Sequence, residues 1–134
     1  MKHILILCCI LSLGACYREY DTNWVPTPIQ EDVGCCITEQ QVHGAIYKAL
    51  LKRKWNIIDS TTNSFSTIIK CKGQNINVKF ANTNKAYTII IEDKITDIYN
   101  YRYCIESRTN QINKYIKVYL KKAISKSADK ELIG

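Results

Sequence analysis

Four short runs of alternating apolar and polar residues, lying between two helix-like stripes, constrain the fold of this 134-residue chain most strongly. The runs cover residues 55–59, 65–71, 76–80 and 87–91, and short polar turns separate them. Because successive side chains of a strand point to opposite faces, the pattern predicts an antiparallel meander with one apolar face. That face needs a cover, which the flanking helices are expected to provide.

The first predicted helix has a sharp start signal. Thr38 is placed as the N-cap and Gln41 three residues later, which together make a capping box. Ile37 and Val42 flank them in the positions of a hydrophobic staple. The helix is expected to end near Lys54. Its apolar stripe repeats at helical spacing and consists of Val42, Ala45, Ile46, Ala49 and Leu50.

The last predicted helix carries a second stripe at the same spacing. It consists of Ile112, Tyr115, Ile116, Tyr119, Leu120, Ala123 and Ile124. Residues 38–125 are therefore predicted to form an α+β two-layer sandwich, in which both helices cover one face of a four-stranded antiparallel meander in the order α-β-β-β-β-α. Residues 126–134 are predicted to be a flexible tail.

The N-terminus has the organisation of a signal peptide. After Lys2, residues 4–13 are almost wholly apolar, a length that suits a signal-peptide core and is too short to span a bilayer. The four residues that follow resemble the lipobox of bacterial lipoproteins: Leu13-Gly14-Ala15-Cys16. The resemblance implies cleavage between Ala15 and Cys16 and acylation of Cys16. The alternative is an ordinary secretory signal that leaves Cys16 as a plain thiol.

A lipidated Cys16 places the protein on a membrane of the bacterial cell envelope. Residues 1–15 are then a signal peptide, and residues 16–37, which hold both prolines, are a lipidated N-terminus and tether. Tyr17 follows Cys16, where an Asp commonly retains lipoproteins at the inner membrane. Its absence favours the outer membrane, with the domain facing the periplasm and held by its lipid anchor.

Seven cysteines are many for so short a chain and favour an exported protein. Two are predicted to leave with the signal peptide, and four remain in the domain: Cys35, Cys36, Cys71 and Cys104. The predicted end of the second strand lies far from the start of the first helix, so Cys71 is not expected to reach Cys36. A bridge from Cys35 or Cys36 to Cys104 is preferred, with Cys36–Cys104 as the named pair. A Cys71–Cys104 bridge stays an alternative.

The domain resembles a family of small bacterial envelope lipoproteins that has no assigned activity. The opening pattern that carries the resemblance is Val42-x-x-Ala45-Ile46-x-x-Ala49-Leu50-x-x-Arg53-x-Trp55-x-Ile57. Residues 78–80, 87–93 and 112–116 resemble the family's third and fourth strands and its final helix. The chain departs from the family where Lys54 replaces a usual Gly, Lys94 a usual Ser, and Ile112 and Tyr115 a usual Tyr and Trp. The resemblance implies a lipoprotein and this fold.

Candidate chemical groups are few. His43, Cys35 and Cys36 lack the ligand spacings of known zinc sites, so neither a metal nor a cofactor is predicted. The alternating tyrosines at 99, 101 and 103, with Arg102 and Tyr87, suit either sugar stacking or packing of an extended edge segment over the core. The signatures of common enzymes are missing, and no enzymatic activity is predicted.

The remaining surface features suggest binding. The chain carries a net charge of +7, and the lysines of the last helix form either a solvated face or a contact for anionic groups. Nucleic acid is a poor partner for an exported, anchored protein. Ile58, Ile68 and Ile90 project from the polar sheet face and form a partner site if they are contiguous. The expected function is a periplasm-facing binding or assembly module with an envelope protein partner. The alternatives are an accessory subunit of an envelope enzyme and a purely structural lipoprotein.

Overall fold

The computed structural model describes residues 26–34, 36–95 and 98–133, with side chains described for 101–126 of the last range. The predicted signal peptide, Cys16 and Cys35 lie outside the described residues. None of the described helices has both the length and the apolar character needed to cross a membrane. The elements are β1 (Ile29–Asp32), α1 (Glu39–Lys52), β2 (Asn56–Ser60), β3 (Ser64–Cys71), β4 (Gln74–Asn82), β5 (Ala86–Ile91) and α2 (Ile98–Ile133).

The strands form one antiparallel sheet in the order β1-β5-β4-β3-β2. Strands β2 to β5 are the predicted meander, and the predicted α+β fold with an antiparallel sheet and two helices is confirmed. The strand number is corrected from four to five among the described residues. The added strand, β1, pairs with β5 and forms the edge of the sheet on that side.

Strand β1 lies inside the segment that the sequence assigned to the tether. Ile29 pairs with Ile89 and Asp32 with Ala86, and the Val33 N–H then donates to the Lys85 carbonyl at 2.8 Å. The four residues include a single apolar side chain, so they carry no alternating signal. Pairing with the open edge of β5 creates this strand, and the folded domain therefore begins well before residue 38.

Helix α1 begins and ends with well-formed caps. The predicted capping box is confirmed, since the Gln41 N–H donates to Thr38 Oγ1 at 3.1 Å and the Thr38 N–H donates to Gln41 Oε1 at 2.9 Å. At the other end the Trp55 N–H reaches back to the Leu50 carbonyl at 2.9 Å, while Lys54 has a left-handed φ of 56°. This is a Schellman motif, in which glycine is the usual left-handed residue.

Both helices pack on the same face of the sheet. The His43 ring of α1 stacks on Phe65 of β3, with 4.1 Å between ring centres, and Cys104 of α2 is bonded to Cys71 at the end of the same strand. The helices run in opposite directions, since Arg53 at the end of α1 donates to Gln111, while Gln41 at the start of α1 lines a pocket together with Lys126 further along α2. The largest fully buried apolar side chains of the core are Tyr87, Phe80, Ile46, Leu50, Ile69, Ile89, Ile105, Ile112 and Ile116.

Helix α2 is much longer than predicted at its N-terminal side. The expectation of an extended edge segment at the alternating tyrosines is wrong, because the helix begins at Ile98 and includes all three of them. The buried positions Ile105, Thr109 and Ile112 follow helical spacing, but the polar Thr109 interrupts the apolar stripe. Its hydroxyl is satisfied by donating to the Ile105 carbonyl at 2.8 Å. At the other end, where a flexible tail was expected, the helix continues to Ile133.

The preferred disulfide prediction, Cys36–Cys104, is wrong. Cys104 is bonded to Cys71 with 5.9 Å between the Cα atoms, and Cys36 is exposed. Strands β3 and β5 both run antiparallel to β4, so they finish at the same end of the sheet. The first turns of α2 follow β5 closely and therefore lie over Cys71. The starts of the two antiparallel helices lie at opposite ends of the sandwich, so Cys36, just before α1, lies at the end away from Cys104.

Candidate functional site

An open pocket of about 350 Å³ lies at one end of the sandwich, where the end of α1, the start of β2, the end of β3, the start of β4 and α2 meet. Three cations line it: Lys54, Lys70 and Arg108. We call it the basic pocket. Asn56 and Asn75 add two carboxamides to the lining, and none of its described lining residues is an Asp or a Glu. The pocket is therefore suited to an anionic group.

The sheet edge creates the space for this pocket. The register of β2 with β3 starts at Asn56 opposite Ile68, so residues 69–71 of β3 extend past the first residue of β2. Lys70 lies on this extension, and Ile69 contributes its apolar side chain to the wall. An uncovered strand edge also presents backbone N–H and C=O groups. The basic pocket thus combines side-chain cations with an unpaired edge of β3.

Trp55 and α2 hold Arg108 at the mouth of the pocket. Trp55 is buried, and its ring packs edge-on against Phe80 with 5.4 Å between ring centres. The Arg108 guanidinium carbon lies 5.9 Å from the centre of the Trp55 ring, within the range of a cation–π contact. A guanidinium placed against an aromatic ring keeps its N–H groups available for an anion at its edge.

The neighbouring Arg53 is used differently. Its guanidinium donates to Gln111 and lies 5.3 Å from the centre of the Tyr115 ring, so it joins α1 to α2. By contrast, the salt bridges found within the described part of the chain join Arg102 to Glu106 and Lys117 to Glu31. The cations of the basic pocket thus have no described carboxylate partner.

Lys54 adds a backbone observation. A non-glycine residue in the left-handed region costs about 1–2 kcal/mol, and Lys54 adopts that region at φ 56°. Residues held in such conformations cluster at binding and active sites, where the surrounding structure maintains them. Lys54, at a backbone position where glycine is conformationally favoured, is also one of the three pocket cations.

A polar network ties β1, β5 and α2 together away from the pocket. The buried Tyr87 hydroxyl donates to Asn113 Oδ1, and Asn113 donates to Glu31 at 3.2 Å. Lys117 forms a salt bridge with the same carboxylate at 3.2 Å. The hydrogen bond from Asn113, then that from Lys117, lowers the pKa of Glu31. Burial first, and the charge of Glu31 second, raises the pKa of Tyr87.

The raised pKa of Tyr87 predicts a loss of stability in alkaline solution. In the unfolded chain this tyrosine ionises near its ordinary value of 10.0, while the folded state still holds the proton. Folding stability is therefore fully present below that pH and falls as the pH rises above it. Tyr87→Phe removes one hydrogen bond and should cost about 1 kcal/mol near neutral pH. In urea unfolding, the deficit of the variant should shrink above about pH 10; a deficit that stays constant would contradict this origin.

The predicted tyrosine and arginine group does not converge on one cleft. Tyr101 lines a polar depression together with Asp93, whose carboxylate accepts from Asn77. Arg102 instead lines a separate pocket and pairs with Glu106 at 3.0 Å. Tyr103 is 82% exposed, and the side chain of Tyr99 lies outside the described residues. These side chains therefore do not form the shared surface that sugar stacking would need.

Two further candidate groups are also separated. Ile58 sits at a bulge in β2 and is 53% exposed, but Ile68 faces Asn77 and Ile90 faces Lys79 across the strand pairs. Polar side chains therefore interrupt the predicted isoleucine stripe. His43 stacks on Phe65, and its buried Nδ1 has no hydrogen-bond partner within the described ranges. Within those same ranges, no three His, Cys, Asp or Glu side chains are placed to share a metal.

The basic pocket is not predictable as a group from residue order. Its cations come from three separate elements, so no motif or spacing connects Lys54, Lys70 and Arg108. The local feature that marks Lys54 is its left-handed backbone, which residue order alone does not show. In comparisons with known proteins, no family model matches this chain, and a search of curated proteins finds no match either. The lipoprotein resemblance and the role of Cys16 therefore stay predictions.

Proposed function

We propose that this protein is a lipid-anchored lipoprotein of the bacterial cell envelope, facing the periplasm, whose domain binds anionic groups. The observation that carries the binding role is the basic pocket, which brings three cations together without a described carboxylate. The lipobox-like Leu13-Gly14-Ala15-Cys16 supports the anchor. No step of covalent catalysis is proposed for this site.

The lining favours phosphate-like groups. Arg108 offers a planar fork of N–H donors that matches two oxygens of a phosphate, whereas Lys54 and Lys70 act as mobile point charges. The carboxamides of Asn56 and Asn75 add neutral donors that can complete the coordination. The pocket is open to solvent, so individual ionic contacts are weak, and binding depends on all three charges acting together.

Inorganic phosphate, titrated into isotope-labelled protein in an uncharged detergent, tests the pocket. We expect amide shifts confined to residues 54–56, 69–71, 75 and 108. Neutralising the pocket with Lys54→Gln, Lys70→Gln and Arg108→Gln should abolish these shifts. Three exposed lysines of α2 supply a control of equal charge: Lys114→Gln, Lys121→Gln and Lys126→Gln. Equal shifts in both triple variants would show that phosphate follows net charge, and the proposed site would be wrong.

Intact mass and cell fractionation test the anchor. The wild-type protein should begin at Cys16, carry the mass of its acyl chains and fractionate with membranes. Several acyl chains give stable anchoring, at about 0.8 kcal/mol for each buried CH₂. Cys16→Ser should lose both the added mass and the membrane association. If the variant stays with the membrane and the wild type shows no acyl mass, the lipoprotein proposal fails.

A further inference from the structure

We infer that the ligand of the basic pocket is a phosphorylated sugar, whose phosphate binds the pocket cations and whose hydroxyl groups bind in the polar depression beside them. This inference rests on the proposed binding of anionic groups and names the class of ligand. The polar depression has a volume of about 270 Å³ and lies where β4 begins and the chain leaves β5. Its lining includes Asp93 and Tyr101.

The hairpin of β3 and β4 joins the two cavities. Strand β2 begins opposite Ile68 of β3, and β5 ends with Ile91 opposite Val78 of β4. The hairpin therefore extends past both of its neighbours at this end of the sheet. The basic pocket lies on its β3 side and the polar depression on its β4 side. Asn75 lines both cavities, so they form one continuous surface.

The strand register sets the distance across this surface. Lys70 is directly opposite Asn75, so their side chains share a face of the sheet, with Cβ atoms about 5 Å apart. Asn77 lies on the same face two residues further along β4, diagonal to Lys70, which corresponds to about 7–8 Å. A path from a pocket cation to the polar depression thus has the length of one sugar ring that carries a phosphate.

Asp93 is held in position to accept hydrogen bonds from hydroxyl groups. Its carboxylate accepts from the Asn77 backbone N–H at 2.7 Å and from the Asn77 side-chain amide at 3.2 Å. The two oxygens of a carboxylate together accept about four hydrogen bonds, so these described bonds leave room for a ligand. A neutral sugar hydroxyl can donate to this carboxylate, whereas an anionic phosphate is repelled by it.

Tyr101 gives the polar depression an aromatic wall. Its side chain is half-buried and packs against the core, which fixes the ring. A single apolar ring covers one C–H face of a sugar, so this contact needs no shared surface of several tyrosines. The exposed carboxamide of Gln74 both donates and accepts hydrogen bonds, as a sugar hydroxyl does.

The charges divide the surface into two parts. The charged groups among the described lining residues of the polar depression are Asp93 and Lys94, which offset each other. The basic pocket instead has three cations without a described carboxylate partner. A phosphate monoester carries a charge of about −1.5 to −2 at neutral pH, more than a phosphodiester, and balances these cations better. The surface therefore fits a ligand with a terminal phosphate and a neutral part rich in hydroxyl groups.

Titration of the isotope-labelled full protein, in an uncharged detergent at constant ionic strength, tests this assignment. The probes are inorganic phosphate, ethyl phosphate, and the 1-phosphates of glucose, galactose and N-acetylglucosamine. Ethyl phosphate is the matched reference, because it is a monoester without hydroxyl groups. At least one sugar phosphate should shift the amides of residues 74–77 and 93–95 in addition to those of the basic pocket. Two added hydrogen bonds should tighten its binding about tenfold over ethyl phosphate.

A double variant in the polar depression separates its role from that of the cations. Gln74→Ala/Asp93→Asn removes one carboxamide and one charge, while the new Asn keeps an oxygen for the Asn77 backbone N–H. This variant should bind the sugar phosphate as weakly as ethyl phosphate, with unchanged affinity for inorganic phosphate. Gln30→Ala/Asp59→Asn is the matched control, since it makes the same changes at exposed positions of other strands. The control should bind every probe as the wild type does.

The outcomes separate the two proposals. If inorganic phosphate causes no shifts in the basic pocket, the proposed anion binding fails. If it does bind there, but all three sugar phosphates bind only as tightly as ethyl phosphate, the sugar inference is overturned and anion binding stands. Equal losses in the two double variants would also overturn the sugar inference. The methyl phosphodiester of the best sugar should bind several-fold more weakly; equal binding would overturn the assignment of a terminal phosphate.

Discussion

Removing the Cys71–Cys104 disulfide is expected to lower the free energy of unfolding by about 4 kcal/mol. The bridge closes a loop with a sequence separation of 33 residues, which restricts the unfolded chain. Cys71 is fully buried, so the bridge also fastens the first turns of α2 to the end of β3. The double variant Cys71→Ala/Cys104→Ala should melt about 20 °C below the wild type, as measured by circular dichroism.

The same variant should weaken the basic pocket. Arg108 lies one helical turn beyond Cys104, and its position over Trp55 depends on how α2 is held against the sheet. The phosphate-induced shifts are therefore expected to shrink under conditions where the variant is still folded. Reductant is the matched control: it should destabilise the wild type and leave the double variant nearly unchanged. Equal sensitivity of both proteins to reductant would show that the Cys71–Cys104 bridge does not carry this stability.

The elements with strong periodic signals were predictable. The capping box at Thr38 and the alternating runs from residue 55 to 91 depend on local residue order, and each appears in the expected place. Strand β1 was not predictable, because its residues 29–32 form a strand through pairing with β5. The early turns of α2 were missed because Thr109 interrupts the apolar stripe and the tyrosines alternate in a strand-like manner.

The missed helix start also explains the missed disulfide. Once α2 begins directly after β5, its first turns must lie over the end of β3, and Cys104 meets Cys71. The basic pocket follows from the same geometry, since Arg108 reaches Lys70 and Lys54 because α2 starts at that end. The spacing of residues along the chain predicts neither the disulfide nor the basic pocket. Both depend on the direction in which the second helix crosses the sheet.

Phe80→Ala is expected to destabilise the domain by about 3–5 kcal/mol, the usual cost of removing a buried phenylalanine. Phe80 is a fully buried residue of β4, and Trp55 packs edge-on against it. An alanine would leave a cavity beneath Trp55, because close-packed surroundings collapse only in part. Urea unfolding measures this loss. The support for the ring under Arg108 would weaken as well, so the pocket should bind phosphate less well.

Phe80→Leu separates the cavity from the aromatic contact. Leucine fills more of the volume than alanine, so its cost should be about 1–1.5 kcal/mol, mainly from the lost edge-to-face contact with Trp55. If the Trp55 ring supports Arg108, phosphate binding should fall in the order wild type, Phe80→Leu, Phe80→Ala, while all three proteins are folded. Unchanged binding in Phe80→Ala would show that the Arg108 guanidinium is positioned by α2 alone. The cation–π contact would then be a consequence of the helix position and not its cause.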